Sequence, residues 1–170
     1  MDFKQLKKEY NIPWLTESGQ IDYSKYPIDY LTKDSLSSDD EKFRNACNLL
    51  GSMVYANRLD AGIFLIGLIV YYKKINIKRL ETIVEELKYF RNIECANFLF
   101  DELINTESNN TYKIYINSII DILSQFPSEI VEERFIELSY DKRFSYKKRN
   151  KFSSIIDKFE NKFSDFDFDI

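Results

Sequence analysis

Four stretches decide the fold: FRNACNLLGSM (Phe43–Met53), LETIVEELKYF (Leu80–Phe90), INSIIDILSQF (Ile116–Phe126) and FSSIIDKF (Phe152–Phe159). Each sets apolar residues at i, i+3, i+4 and i+7, the spacing of one helix face. The faces are Phe43, Ala46, Cys47, Leu50 and Val54; Leu80, Ile83, Val84, Leu87 and Phe90; Ile116, Ile119, Ile120, Leu123 and Phe126; and Phe152, Ile155, Ile156 and Phe159. They superpose. An offset of 36 carries the second onto the third and the third onto the fourth, failing only at Lys162. An offset of 37 relates the first to the second, with Met53 as its last member. Two amphipathic helices always match in some register, but a near-constant spacing through four marks an internal repeat.

A second kind of helix alternates with these. Arg58–Lys74 and Asn92–Asn105 match at an offset of 34: Leu59 on Ile93, Ala61 on Cys95, Gly62 on Ala96, Phe64 on Phe98, Leu65 on Leu99. Small residues at 61/95 and 62/96 allow close helix approach. Ser128–Tyr140 is a looser third member, with Ile130, Val131, Phe135 and Leu138 on its apolar face. The run AGIFLIGLIVYY (Ala61–Tyr72) would rise about 18 Å as a helix, against about 30 Å of bilayer hydrocarbon. It reads as the central, buried helix of the fold, and no membrane partner is expected. Ser38 with Glu41 forms a capping box, and Asn57 with Asp60, Asn76, Asn92 and Ser128 are candidate N-caps.

The expected fold is all-α: a right-handed helical-repeat solenoid of about seven to eight helices, because each hairpin buries its faces only by stacking. Three segments follow. Residues 1–37 hold a short helix (1–9) and an aromatic-rich, non-repeating strap with Tyr10, Trp14, Tyr23, Tyr26 and Tyr30. Residues 38–163 form the helical-repeat domain. Residues 164–170, SDFDFDI, form an acidic-aromatic tail. The strap either covers the first hairpin or offers interface anchors. The tail either frays or docks into a groove.

Composition narrows the chemistry. The chain has 170 residues, 44% hydrophobic and 31% charged, with four Gly, three Pro and no His. So few turn residues do not supply a β-sandwich or barrel. Without His there is no Ser-His-Asp or Cys-His nucleophile system, no His-ligated metal and no imidazole acid–base step. No Gly-rich phosphate loop occurs, and no catalytic role, cofactor or metal is expected. Cys47 and Cys95 lie on apolar helix faces and read as core filler. MDFKQLKKEY lacks the apolar core of a secretory signal, so a cytoplasmic location is expected.

Net charge is −4, unevenly placed. Residues 75–141 carry six basic and 13 acidic residues, whereas 142–151 carries six basic and none acidic. The candidate partner-binding surface is the acidic set Glu81, Glu85, Glu86, Glu129, Glu132, Glu133 and Glu137. Of these, Glu129, Glu133 and Glu137 share one helix face, as a solvated face or as a patch for a cationic partner. The alternative surface is basic: Lys142, Arg143, Lys147, Lys148, Arg149 and Lys151, interleaved with Phe144 and Tyr146. Lysines in the first turn of the last helix oppose its dipole, a small conflict that points toward function.

Over Ser38–Phe163 the chain resembles the HEAT-like α-solenoids. Pro127, Asp60 and Arg58 are similar to the Pro and the Asp/Arg pair of those hairpins. In size and architecture it also resembles the small helical-repeat immunity proteins of bacterial toxin systems. That resemblance implies a non-catalytic antitoxin that binds a protein partner, a basic toxin domain, and neutralises it. The alternative is nucleic-acid binding through residues 142–151, as in HEAT-like DNA glycosylases. The last helix, Tyr146–Phe163, has no hairpin beyond it, so monomer and homodimer both stay open.

Overall fold

The computed structural model describes the backbone of residues 2–164 and the side chains as far as Phe159. The tail beyond Ser164 and the Phe163 side chain lie outside the described residues. Nine α-helices occur among the described residues: α1 (Phe3–Glu9), α2 (Asp29–Ser35), α3 (Asp40–Tyr55), α4 (Leu59–Tyr72), α5 (Leu80–Glu86), α6 (Ile93–Asn105), α7 (Lys113–Leu123), α8 (Ser128–Tyr140) and α9 (Tyr146–Ser164). Short 3-10 turns at Ile77–Arg79 and Leu87–Tyr89 bracket α5. No strand occurs there, only one isolated bridge between Leu15 and Ile21. The fold is all-α. It has one helix more than the sequence reading expects, α2, which lies inside the strap.

The periodic faces form the core. Every residue of the first three apolar sets is buried, as are Phe152, Ile155 and Phe159 of the fourth. Packing follows chain order. α3 packs on α4 and α5, α5 on α7, α6 on α7 and α8, and α8 on α9. Edge-to-face aromatic contacts join α6 to α8, with Phe100 and Phe135 ring centroids 5.3 Å apart. Gly62 is buried in α4, where a Cβ would come within 2.6 Å of the Phe90 ring. The small residue is needed for that approach. Cys47 and Cys95 are free and buried. Loss of solvation pushes both thiols up to about 12, so neither is a reactive thiolate at neutral pH.

The expectation that α4 is the central, buried helix is overturned. Its inward line, Ala61, Leu65, Leu68, Ile69 and Tyr72, is buried. Leu59, Ile63, Val70 and Tyr71 are exposed, at 65%, 64%, 49% and 45%. An apolar run announces burial on all sides only if neighbours cover all sides, and α3 and α5 cover one.

The caps of α3 and α4 differ by one position from the sequence reading, and that of α6 matches it. Asp39, not Ser38, caps α3, accepting from the Glu41 and Lys42 amides at 2.9 and 3.2 Å. A carboxylate there also faces the positive end of the helix dipole. Arg58 is the N-cap of α4, and Asn57 takes φ +62° in the turn before it. Asn92 caps α6, accepting from the Cys95 amide at 2.8 Å.

Polar contacts tie the elements together. Buried Arg79 donates to Asp40 at 2.6 Å and to the Tyr72 hydroxyl at 2.9 Å, and lies 4.3 Å from the Phe43 ring centroid. Tyr72 in turn donates to the Ser35 carbonyl at 2.7 Å, which locks α2 onto the core. Arg58 holds Asp60 in a two-bond pair and donates to the strap carbonyls of Ser24 and Tyr26 at 3.2 and 3.0 Å. Tyr23, Tyr26 and Ile28 of the strap pack against the core. Glu102 on α6 accepts from Lys73 at 2.7 Å and from Tyr115 on α7 at 2.8 Å.

Candidate functional site

The outward positions of α4, α6 and α8 align at constant offsets, but unlike the inward ones their residue types do not repeat. The offset of 34 places Leu59, Ile63 and Gly67 on Ile93, Asn97 and Asp101. A further 36 leads to Glu129, Glu133 and Glu137. All nine are exposed. Within each helix they lie at i, i+4 and i+8, one line along the surface. The exposed line is apolar on α4, mixed on α6 and acidic on α8. α6 packs on α8, and ion pairs link neighbouring helices. Lys73 at the end of α4 meets Glu102 of α6, and Arg134 of α8 lies 3.9 Å from Asp101 of α6.

The seven acidic residues singled out in the sequence do not form one surface. Glu129, Glu133 and Glu137 lie together on α8, with Glu137 3.9 Å from Arg134. Glu132 on the same helix is half-buried, off that line. Glu81 and Glu85 are on α5, which packs with α3, α4 and α7. They line a separate groove of about 340 Å³ with Lys88, Asp121 and Gln125. Glu86 turns inward. A Cβ on Gly51 of α3 would fall 1.8 Å from its carboxylate, so that carboxylate rests against the α3 backbone. Burial there pushes the Glu86 carboxyl above its ordinary value.

The basic cluster also divides. Arg143 folds back on Asp141 with two-bond geometry at 2.6 and 2.9 Å. The guanidinium holds the Asp141 carboxyl below the ordinary carboxylate range. Arg149 is half-buried, and its Nε has no hydrogen-bond partner. Lys142 is exposed. Lys147, Lys148 and Lys151 instead converge on a groove of about 600 Å³ between α7 and α9. Lys113 from the first turn of α7 joins them. Lys148 donates to Ser108 at 2.8 Å and Lys151 to Asp121 at 2.8 Å. Partial burial pushes the Lys148 ammonium below its ordinary value. Lys113 was missed because the charge count treats 75–141 as one acidic block. Its signal is that it is the sole base between Arg91 and Arg134.

No group of three or more carboxylate or thiol side chains converges as a metal site among the described residues. None of the described helices is long and apolar enough to cross a membrane. Comparison of the chain with protein-family models, with curated proteins and with solved structures finds no match.

Proposed function

We propose that the chain is a non-catalytic protein-binding module whose docking surface is the outward face of α4, α6 and α8. The observation that carries this reading is the graded line from Leu59, Ile63 and Gly67 to Glu129, Glu133 and Glu137. Exposed aliphatic side chains one turn apart supply an anchor that gains by desolvation. The acidic end on α8 selects a partner with a basic rim and accelerates its approach. Within this reading the chain is a HEAT-like, right-handed helical-repeat solenoid. The near-constant spacing and the packing in chain order support that description. The finer assignment is an immunity protein that binds a basic toxin domain and neutralises it. Its support is the acidic α8 line and the absence of histidine-based chemistry.

The test uses the full chain and a basic toxin domain as the probe. The combined substitution Glu129→Lys, Glu133→Lys and Glu137→Lys is expected to weaken binding by tenfold or more and to flatten its dependence on salt. An affinity and salt slope equal to those of the unaltered chain would remove the α8 line from the interface, and the reading with it.

A further inference from the structure

The groove between α7 and α9 shares no lining residue with the proposed docking face and has a different construction. Four lysines, Lys113, Lys147, Lys148 and Lys151, line it, together with asparagine and serine side chains such as Asn117 and Asn150. No carboxylate lines it. Among the described residues only Lys151 of the four has a carboxylate within 4 Å. Four ammonium groups around one concavity repel one another, and partial burial of Lys148 raises the cost of its charge. Lys147 and Lys148 also stand in the first turn of α9, where cations oppose the helix dipole. An anion in the groove offsets all three penalties.

We propose that this groove binds a compact polyphosphate-bearing small molecule of nucleotide size. Its volume falls within the range of about 300–1,000 Å³ common for small-ligand sites. Phosphate oxygens accept from the ammonium groups, while the asparagine amides and serine hydroxyls pair with the neutral remainder of the ligand. A nucleic-acid strand is disfavoured by what adjoins the groove. The next groove along, between α5 and α7, is lined by Glu81, Glu85 and Asp121. A polyanion continuing in that direction meets carboxylates. At the other end Arg143 is neutralised by Asp141. The positive field is confined, which suits a ligand that ends within it.

Calorimetry on the full chain at low salt tests this with inorganic triphosphate, ATP, orthophosphate and a 20-mer single-stranded oligonucleotide as probes. One-to-one binding of triphosphate and ATP is expected, with orthophosphate at least tenfold weaker. Lys113→Gln and Lys147→Gln are each expected to weaken triphosphate binding about tenfold, with thermal melts unchanged or slightly raised by relief of the lysine repulsion. The inference fails if neither triphosphate nor ATP binds, or if the Lys113→Gln/Lys147→Gln double variant binds triphosphate as the unaltered chain does. An oligonucleotide that binds more tightly than triphosphate and loses affinity in the same variants would overturn the compact-ligand assignment in favour of nucleic acid. The α8 charge reversals leave this groove intact, so the two proposals fail separately.

Discussion

Ile63 and Leu65 are two residues apart on α4, yet Leu65 is fully buried and Ile63 is 64% exposed. The same division runs through the repeat. Inward positions are apolar in every helix, from Leu50 through Ile83 and Ile119 to Phe152. Outward positions change character completely, from Leu59 and Ile63 on α4 to Glu129 and Glu133 on α8. The inward line answers to one requirement, a core continuous from helix to helix. The outward line is free of that requirement, which is why the proposed docking surface is placed there.

The sharpest way to break this comparison is at its centre. Ile119 on α7 is fully buried. Ile119→Ala should cost about 2–5 kcal/mol in urea unfolding, because the removed methyl groups leave a cavity that neighbouring helices fill only in part. Glu133→Ala on the outward line should stay within about 0.5 kcal/mol. A loss below about 1 kcal/mol at Ile119 would mean that the inward line is not the core.

Glu86 sharpens the comparison because it is an acid on the inward side. Burial raises its folded-state pKa above the ordinary value of 4.5. Between that value and the raised one, the folded chain holds a proton that the unfolded chain has released. Stability from this group therefore rises as pH falls through that window and is lost as pH climbs above it. Glu86→Gln removes the charge without changing the shape over Gly51. It should be at least as stable as the unaltered chain at pH 7, with the gap closing as pH approaches 4.5. A variant that is less stable at neutral pH would show that Glu86 has a favourable charged partner, and the inward carboxylate would cease to be an exception.

What the sequence made legible follows the same line. The inward faces were readable because a 3.6-residue period in apolar type is a direct imprint of one-sided burial. The starts of α3, α4, α6 and α8 were readable to within a residue; at α3, Ser38 and Asp39 offer equivalent oxygens and only geometry chooses Asp39. A covering role for the strap was readable from its aromatics, but its course and α2 within it were not. Its order comes from long-range contacts, Arg58 onto the Ser24 and Tyr26 carbonyls and Tyr72 onto the Ser35 carbonyl, which leave no periodic trace. α4 was misjudged because hydrophobicity around the whole circumference says nothing about which side has neighbours. The acidic set was half legible. Three of its members share a helix face by simple spacing, but the positions of α5 and α8 in the packing order decide that Glu81 and Glu85 stand apart.

The smallest structural effect separates the two lines most cleanly. Ile63 contributes little to the fold, since most of its side chain faces solvent. Ile63→Asn should shift stability by about 0.5 kcal/mol or less, with no cavity created and no buried partner lost. If the outward face is the docking surface, the same substitution removes an aliphatic anchor and places an amide where desolvation gives no gain. Partner affinity should then fall about tenfold, equivalent to about 1.4 kcal/mol. Measured together, a thermal melt and a titration discriminate the alternatives. A large drop in stability would show that Ile63 belongs to the core. Unchanged stability with unchanged affinity would leave the apolar end of the graded face without a role in binding, and the interface would have to be sought on α8 alone.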